Sequence, residues 1–197
     1  MFLEAVLLGL LAGRLRGGRT LNIGTLEFKG WVLIVIGFLL QMLPMLLGRM
    51  SWMAHNGHIV AFATMLLVFF IVVLNSDKRG FWLVTLGAVL NIVAMATHGL
   101  RMPVYLKALA GAGRVEMMES LANDAVLNHI GLEQLAHWSD YLGKNIAIPA
   151  PYPLAYALSV GDVLMSIGIF LFVMGHMTAS HYFKSKGRMM NTFYPLR

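Results

Sequence analysis

Long apolar runs separated by short polar segments dominate this chain. Four of them approach or exceed the roughly 17–25 residues that a membrane-spanning helix needs, at 31–47, 57–74, 81–99 and 154–175. A fifth run, at 1–16, is shorter and carries Glu4, so it crosses a bilayer only by tilting or by thinning the bilayer locally. The pattern predicts an all-α integral membrane protein, a five-helix transmembrane bundle that forms a single domain over 1–197.

The segment between the fourth and fifth predicted spans, at 101–150, has a different pattern. Its apolar residues recur at mixed spacings of three and four, which is typical of amphipathic helices. The predicted helices lie at 104–110, 114–127 and 129–142. Pro103 suits the first helical position, and a stiff extended lead-in to the last span follows at Pro149, Pro151 and Pro153. We expect these helices to cap the outer face of the bundle.

The composition agrees with a membrane protein. Hydrophobic residues make up 58% of the chain and charged residues 12%, with a mean hydropathy of +0.72, whereas soluble domains carry about 25% charged residues. The absence of cysteine excludes disulfides, thiolate metal sites and cysteine nucleophiles. The net charge of +6 does not indicate nucleic-acid binding, because the basic residues lie in short segments between apolar runs.

The same basic residues predict the orientation of the chain. Ten lysines and arginines fall on the side of the first loop, the turn at 75–80 and the tail at 176–197, against five on the opposite side. Because basic residues accumulate on the cytoplasmic side, we expect the N-terminus outside and the C-terminus inside the bacterial cytoplasmic membrane. Arg14, Arg16 and Arg19 of the first loop are expected to contact anionic lipid head groups.

Glycines recur on one face of several predicted spans. Three in the last span follow one another every seven residues, and two in the first form a GxxxG pair. Small residues of this kind let two helices approach closely in lipid. The predicted helix-packing residues are Gly9, Gly13, Gly87, Gly161, Gly168 and Gly175.

Asp162 is the acidic residue of the last predicted span, about nine residues from its outer end. At about 1.5 Å per residue this places it roughly 13 Å deep, where an unpaired charge costs about 2.5–3.5 kcal/mol on insertion scales. Its carboxylate should therefore face protein or a water-filled cavity. The candidate partners are Arg101, Asn91, Ser159 and Ser166. Three roles stay open: a structural ion pair or hydrogen bond, a proton or cation relay, and an acid that orients a ligand.

Two histidines, His58 and His98, fall near the outer ends of adjacent predicted spans. Two such imidazoles could hold a b-type haem, or a chlorophyll-type pigment, if their helices face each other. Four-helix cytochromes usually carry histidines well inside their spans, and none lies at a span centre here. His129 and His137 are eight residues apart, a spacing that does not support a zinc site. No metal site is predicted.

Catalytic motifs do not emerge from the spacing of polar residues. GxSxG, HExxH and the phosphate-binding P-loop are all missing from the sequence. We therefore predict no catalytic residues and favour a protein that is not an enzyme.

Three stretches carry a resemblance to a known group of proteins. They are GLLAGRLRGGRT at 9–20, HGLRMPV at 98–104 and YLGKNIAIPAPYPLAYALSVGD at 141–162. With its Arg-Met-Pro and Ser-x-Gly-Asp elements, the chain resembles a family of small bacterial integral membrane proteins of unknown function that have about five spans. The resemblance implies a topology and a pairing of Arg101 with Asp162, and it implies no activity.

Three functional hypotheses follow from these features. The first is an accessory or structural subunit of a larger membrane complex, with the lipid bilayer and other membrane subunits as partners and no nucleic acid. The alternative is a binder or carrier of a small hydrophobic or cationic ligand around Asp162. A second alternative is a haem- or pigment-associated subunit of a redox or photosynthetic complex that uses His58 and His98.

Overall fold

The computed structural model describes residues 1–47, 51–123, 126, 128–149 and 156–193, with side chains omitted at 25, 41, 43–45, 47, 51–55 and 180–193. Within these ranges the chain is mostly helical. The α-helices are α1 (Phe2–Leu15), α2 (Trp31–Leu47), α3 (Ser51–Leu74), α4 (Phe81–Thr97), α5 (Leu106–Gly111), α6 (Val115–Ala122) and α7 (Val160–Phe193). Two 3-10 helices lie at Thr20–Thr25 and Trp138–Leu142, and the strands are β1 (Met102–Tyr105), β2 (His129–Leu132), β3 (Ile146–Ile148) and β4 (Tyr156–Leu158).

The long helices coincide with the apolar runs. Two helical stretches in the described part of the chain, Asn56–Leu74 and Val160–Ala179, are long and apolar enough to cross a membrane. Trp31–Leu40 and Phe81–Thr97 are apolar but shorter. The fold is therefore mostly helical with two helices of membrane-spanning length.

The segment predicted as three amphipathic helices is partly a β-structure, so the all-α prediction is wrong there. β1 pairs in parallel with β2, with Met102 opposite His129, and β3 pairs antiparallel with β4. The predicted helix at 129–142 is replaced by β2 and a 3-10 turn. One physical reason is local: the carboxylate of Asp140 accepts hydrogen bonds from the backbone N–H groups of Ala136 and His137, which holds a tight turn in place of a continuous helix.

Pro103 lies inside β1 and does not begin a helix. The fixed φ of proline suits extended backbone as well as a helix start, and its carbonyl accepts a hydrogen bond from the backbone N–H of Lys144. Of the predicted proline lead-in, Pro151 and Pro153 lie outside the described residues. Arg49 and Arg197 of the charge count also lie outside them, as do the side chains of Lys184, Lys186 and Arg188.

The long helices pack in a row whose order differs from that of the chain. α1 packs on α7, α7 on α4, α4 on α3, and α3 on α2. α1 and α2 are therefore the two ends of the row. Short elements cover the end of the row where α4 stops and α7 begins, and we name this part, residues 101–123, 126, 128–149 and 156–159, the cap. Its apolar core contains Val104, Leu109, Leu121 and Ala157.

The glycine stripes lie where these helices meet. A methyl group added at Gly9 would come within 2.9 Å of the Val173 side chain, and one at Gly13 within 2.6 Å of Met177, both on α7. On the other side of α7, a methyl group at Gly168 would meet Val84 of α4 at 2.6 Å. A methyl group at Gly175 would lie 2.9 Å from the Arg79 side chain, and one at Gly87 would overlap the backbone carbonyl of Gly161.

Candidate functional site

Asp162 is the third residue of α7 and helps to cap the N-terminus of that helix. The hydroxyl of Ser159 accepts a hydrogen bond from the Asp162 backbone N–H (2.9 Å), while Asp162 Oδ2 accepts one from the Ser159 backbone N–H (3.2 Å). This reciprocal arrangement is a capping box, with aspartate at the position where glutamate is commonest. It starts the helix at Val160, six residues later than the predicted span, so the predicted depth of Asp162 within its helix is wrong.

Asn91 links α4 to the capping box of Ser159 and Asp162 by hydrogen bonds. Its side chain is buried, its amide nitrogen donates to Asp162 Oδ1 (3.0 Å), and its amide oxygen accepts from the Ser159 hydroxyl (2.7 Å). Gly161 has no side chain, and the Asn91 amide occupies the position that a Cβ atom at residue 161 would take. Three of the predicted site residues, Asn91, Ser159 and Asp162, therefore form one closed hydrogen-bonded triad.

The other predicted partners lie around this triad. Ser166 is one turn further along α7, and its hydroxyl is buried with no hydrogen-bond partner among the described residues. Arg101 is half-buried in the turn between α4 and β1, where its backbone N–H donates to the carbonyl of His98. The pairing of Arg101 with Asp162 stays a prediction. The predicted lipid-contacting residues Arg14, Arg16 and Arg19 are exposed.

A cavity of about 810 Å³ opens beside the triad. Its walls come from α3, α4 and α7, its roof from the cap, and its two remaining edges from α1 and α2. The lining residues are Phe2, Leu40, Gly57, Val60, Ala61, Thr64, Met65, Val68, Asn91, Met95, Met102, Val126, Asn128, His129, Lys144, Asp162 and Met165. The volume falls in the range of about 300–1,000 Å³ that is usual for small-molecule sites.

The roof of the cavity carries two ionisable side chains from neighbouring extended segments. β1 lies between them: His129 of β2 is opposite Met102, and Lys144 forms a bridge with Val104 on the other side. Lys144 Nζ lies 3.1 Å from His129 Nε2, and His129 Nδ1 lies 2.8 Å from the side-chain oxygen of Asn128. Because that oxygen accepts, Nδ1 carries the imidazole proton and Nε2 accepts from the lysine.

Burial shifts the pKa values of both groups in the roof. The pKa of His129 falls to about 3, first because its imidazole is enclosed and second because Lys144 is beside it. Burial also lowers the pKa of Lys144, while the negative charge of Asp162 acts in the opposite direction. His129 is therefore neutral at physiological pH, and Lys144 is an enclosed amine whose charge is poorly solvated.

His98 is held by two acceptors at the end of α4. Its Nδ1 lies 2.8 Å from the carbonyl oxygen of Ala94, and its Nε2 lies 3.0 Å from Asp140 Oδ1. The Thr97 hydroxyl also lies 3.0 Å from Nδ1, so both ring nitrogens of His98 have hydrogen-bond partners within the protein. The Nδ1 atom of His58, by contrast, is buried without a hydrogen-bond partner among the described residues. Ligation of a haem or pigment by His58 and His98 stays a prediction.

Asp140 ties the cap to α4 through this contact. Its Oδ2 accepts from the backbone N–H groups of Ala136 and His137, both at 2.8 Å, and its Oδ1 faces His98. The bond from His137 is the main reason that the pKa of Asp140 lies below its ordinary value of 3.8, with further lowering from Ala136 and His98 and an opposing effect of burial. Asp140 was not among the predicted site residues, because its role depends on a residue 42 positions away.

His129 and Lys144 were also missing from the predicted ligand site. They come together through the parallel pairing of β1 with β2 and the bridge at Val104, and no spacing in the sequence indicates those contacts. Four methionines line the cavity, which agrees with the adaptable packing of that side chain. No cluster of three potential metal ligands occurs among the residues whose placement is described.

Comparison with known proteins identifies a family. Residues 25–174 match the model of a family of unknown function, DUF5317. The chain is also 30% identical over 172 residues to an uncharacterised protein of Thermotoga maritima, a match that covers 87% of each chain. No solved structure matches. The chain belongs to the DUF5317 family.

Proposed function

We propose that this member of the DUF5317 family is a membrane protein that binds a small hydrophobic ligand in the cavity between α3, α4, α7 and the cap. The observation that supports this function best is the cavity itself, which combines apolar walls with a few convergent polar groups. Sites of this composition are the usual form of a small-molecule site. The Asn91–Ser159–Asp162 triad stands at one wall and braces α4 against the start of α7.

In this proposal five helices, α1, α2, α3, α4 and α7, cross the bacterial cytoplasmic membrane with the N-terminus outside. Exposed apolar side chains support the membrane setting. Leu3, Leu7 and Leu11 of α1 are 63%, 55% and 58% exposed, on the side of the helix away from Gly9 and Gly13. A continuous surface of this kind is unfavourable in water and suits contact with lipid.

The order of the helices supports entry of the ligand from the membrane. α1 and α2 are the ends of the row, and each contributes one residue to the cavity lining, Phe2 and Leu40. The cavity therefore reaches both terminal helices of the row. In this proposal a hydrophobic molecule dissolved in the bilayer passes between α1 and α2 and reaches Ala61 and Thr64 of α3 without passing through water.

The accessory-subunit hypothesis receives less support from the geometry. All six predicted helix-packing glycines lie at contacts within this chain, between α1 and α7 or between α4 and α7, or against the turn before α4. Their faces are therefore not left open for another subunit. Association with partner proteins through other surfaces stays a prediction.

The test is to fill the cavity without disturbing the outside of the same helix. Ala61 lines the cavity, and Ala63, two residues further along α3, is exposed. We expect Ala61→Trp to reduce the amount of small molecule that co-purifies with the detergent-extracted protein by at least about tenfold, a change of about 1.4 kcal/mol in binding free energy. Ala63→Trp should retain the wild-type amount.

The measurement is mass spectrometry of organic extracts, expressed per mole of folded protein. A thermal melt of each variant establishes that it is folded. Equal amounts of extracted ligand from the two tryptophan variants, or none above the detergent background from wild type, would overturn the proposed function.

A further inference from the structure

We infer that the ligand of this cavity is an anionic lipid with a single acyl chain, whose carboxylate or phosphate head group binds Lys144 under the cap. The inference rests on the proposed function and adds the chemical class of the ligand and its orientation. It commits the cavity to an acidic amphiphile from the outer leaflet, as opposed to a cationic or neutral one.

The first argument concerns the hydrogen-bonding capacity of Lys144. A lysine ammonium has three N–H donors, and here one of them is directed to the neutral imidazole of His129. Within the described ranges no carboxylate lies at ion-pair distance from Lys144 Nζ. The charge of Asp162 acts on Lys144 without forming an ion pair with it, and an enclosed charge without a contacting counter-ion is costly. An anionic head group would satisfy the two remaining donors and the charge together.

The second argument concerns Asp162, the other charged group of the lining. Each of its carboxylate oxygens already accepts a hydrogen bond, one from Asn91 and one from the Ser159 backbone N–H. It also lies in the first turn of α7, where the helix dipole stabilises a negative charge. The charge of Asp162 is therefore compensated within the protein, and it does not call for a cationic ligand.

The third argument concerns the direction of the cavity. Lys144 and His129 form its roof in the cap, while Val68 and Met165 line it further along α3 and α7. With the proposed topology, the roof lies at the outer surface and the apolar walls descend into the bilayer. A lipid of the outer leaflet has this same arrangement, with its head group at the surface and its chain below, so it can enter sideways without turning over.

The pKa of Lys144 agrees with this reading. Burial lowers it from the ordinary value, and a negative head group in contact with Nζ would favour the protonated form. His129 stays neutral and keeps its acceptor atom towards the lysine, which leaves the other two N–H groups for the ligand.

The experiment compares four probes that share one acyl chain: palmitate, hexadecyl phosphate, hexadecanol and hexadecylamine. Binding to the delipidated full chain in detergent is measured by displacement of a fluorescent fatty acid. We expect both acids to bind at least about tenfold more tightly than hexadecanol, equivalent to about 1.4 kcal/mol. Lys144→Met should reduce the acids to the affinity of hexadecanol and leave hexadecanol itself unchanged. Lys107→Met, which changes an exposed lysine of the cap, should behave as wild type.

Each outcome separates this inference from the proposed function. Equal binding of palmitate and hexadecanol, tighter binding of hexadecylamine, or an unchanged acid preference in Lys144→Met would overturn the inference and leave a lipid-binding cavity in place. Binding of none of the four probes would overturn the proposed function. Inorganic phosphate, added as a competitor, should not displace the probe, and displacement would assign the site to a free anion. If Lys144→Met is unfolded in a thermal melt, Lys144→Gln and the charge-retaining Lys144→Arg make the same comparison.

Discussion

The contact between Gly161 and Asn91 allows a quantitative test of how α4 and α7 are joined. A methyl group at Gly161 would overlap the Asn91 side-chain oxygen, and it would lie 2.6 Å from the carbonyl oxygen of Gly87 and 2.7 Å from Asn91 Cγ. Contacts this short do not occur in proteins, so Gly161→Ala must displace the amide of Asn91 or separate the two helices. Either change breaks the hydrogen bonds of Asn91 to Ser159 and Asp162.

The expected magnitude follows from these contacts. Overpacking a tight site costs about 1–3 kcal/mol, and each lost hydrogen bond adds about 0.5–1.5 kcal/mol. The better helix propensity of alanine returns at most about 1 kcal/mol. We therefore expect Gly161→Ala to lower the free energy of unfolding by about 2–4 kcal/mol, which for a chain of this size lowers Tm by roughly 5–15 °C.

The assay is a thermal melt of the detergent-solubilised protein followed by size-exclusion chromatography. Gly24→Ala is the matched control, because Gly24 is exposed and no atom lies within 4 Å of the added methyl group. The double variant with Asn91→Ala removes two of the three clashing atoms and should show a favourable coupling energy of about 1 kcal/mol or more. A Tm for Gly161→Ala within about 1 °C of Gly24→Ala would show that the helices do not meet as described.

Two further predictions concern the cap and the first helix. The pKa of Asp140 is lowered in the folded protein, so its contribution to stability is present above the ordinary pKa of 3.8 and is lost as pH falls through the lower native value. Over that pH window, hydrogen exchange at the backbone N–H groups of Ala136 and His137 should accelerate beyond the intrinsic rate, and Asp140→Asn should abolish this transition. Protection of the two N–H groups that is unaffected by acid would contradict the prediction. Gly9→Val should separate α1 from α7, because the added carbons meet Val173 within 2.9 Å. Trypsin should then cut after the arginines that follow α1 at least about tenfold faster, the effect of a local opening easier by about 1.4 kcal/mol, while Leu8→Val on the exposed face should cut at the wild-type rate.

The long helices could be predicted because each rests on a continuous apolar run. The boundaries at Trp31, Leu47, Leu74 and Phe81 agree with the predicted spans. The start of α7 could not be placed the same way, since the apolar run continues through β4 without a break. There the capping box of Ser159 and Asp162, and not hydrophobicity, decides where the helix begins.

The cap was harder to predict for a different reason. Its apolar residues at mixed spacings fit a short helix or a short strand equally well, and only pairing between distant segments selects one of them. Parallel pairing brings Met102 beside His129, and the bridge at Val104 brings in Lys144. All three residues of the triad beside the cavity are predicted site residues. The ionisable residues of the roof, His129 and Lys144, are not, because a basic residue between two apolar runs is ordinarily a marker of topology.

The row of helices also constrains the order of assembly. Translation delivers α1 before all other helices and α7 after them, yet the two are direct neighbours through Gly9 and Gly13. During biosynthesis the glycine face of α1 therefore has no native partner until the ribosome has completed the final long helix. α4 contacts the same helix at Gly87 and Gly168, so the contacts of α1 and of α4 with α7 can form only after α7 has been made.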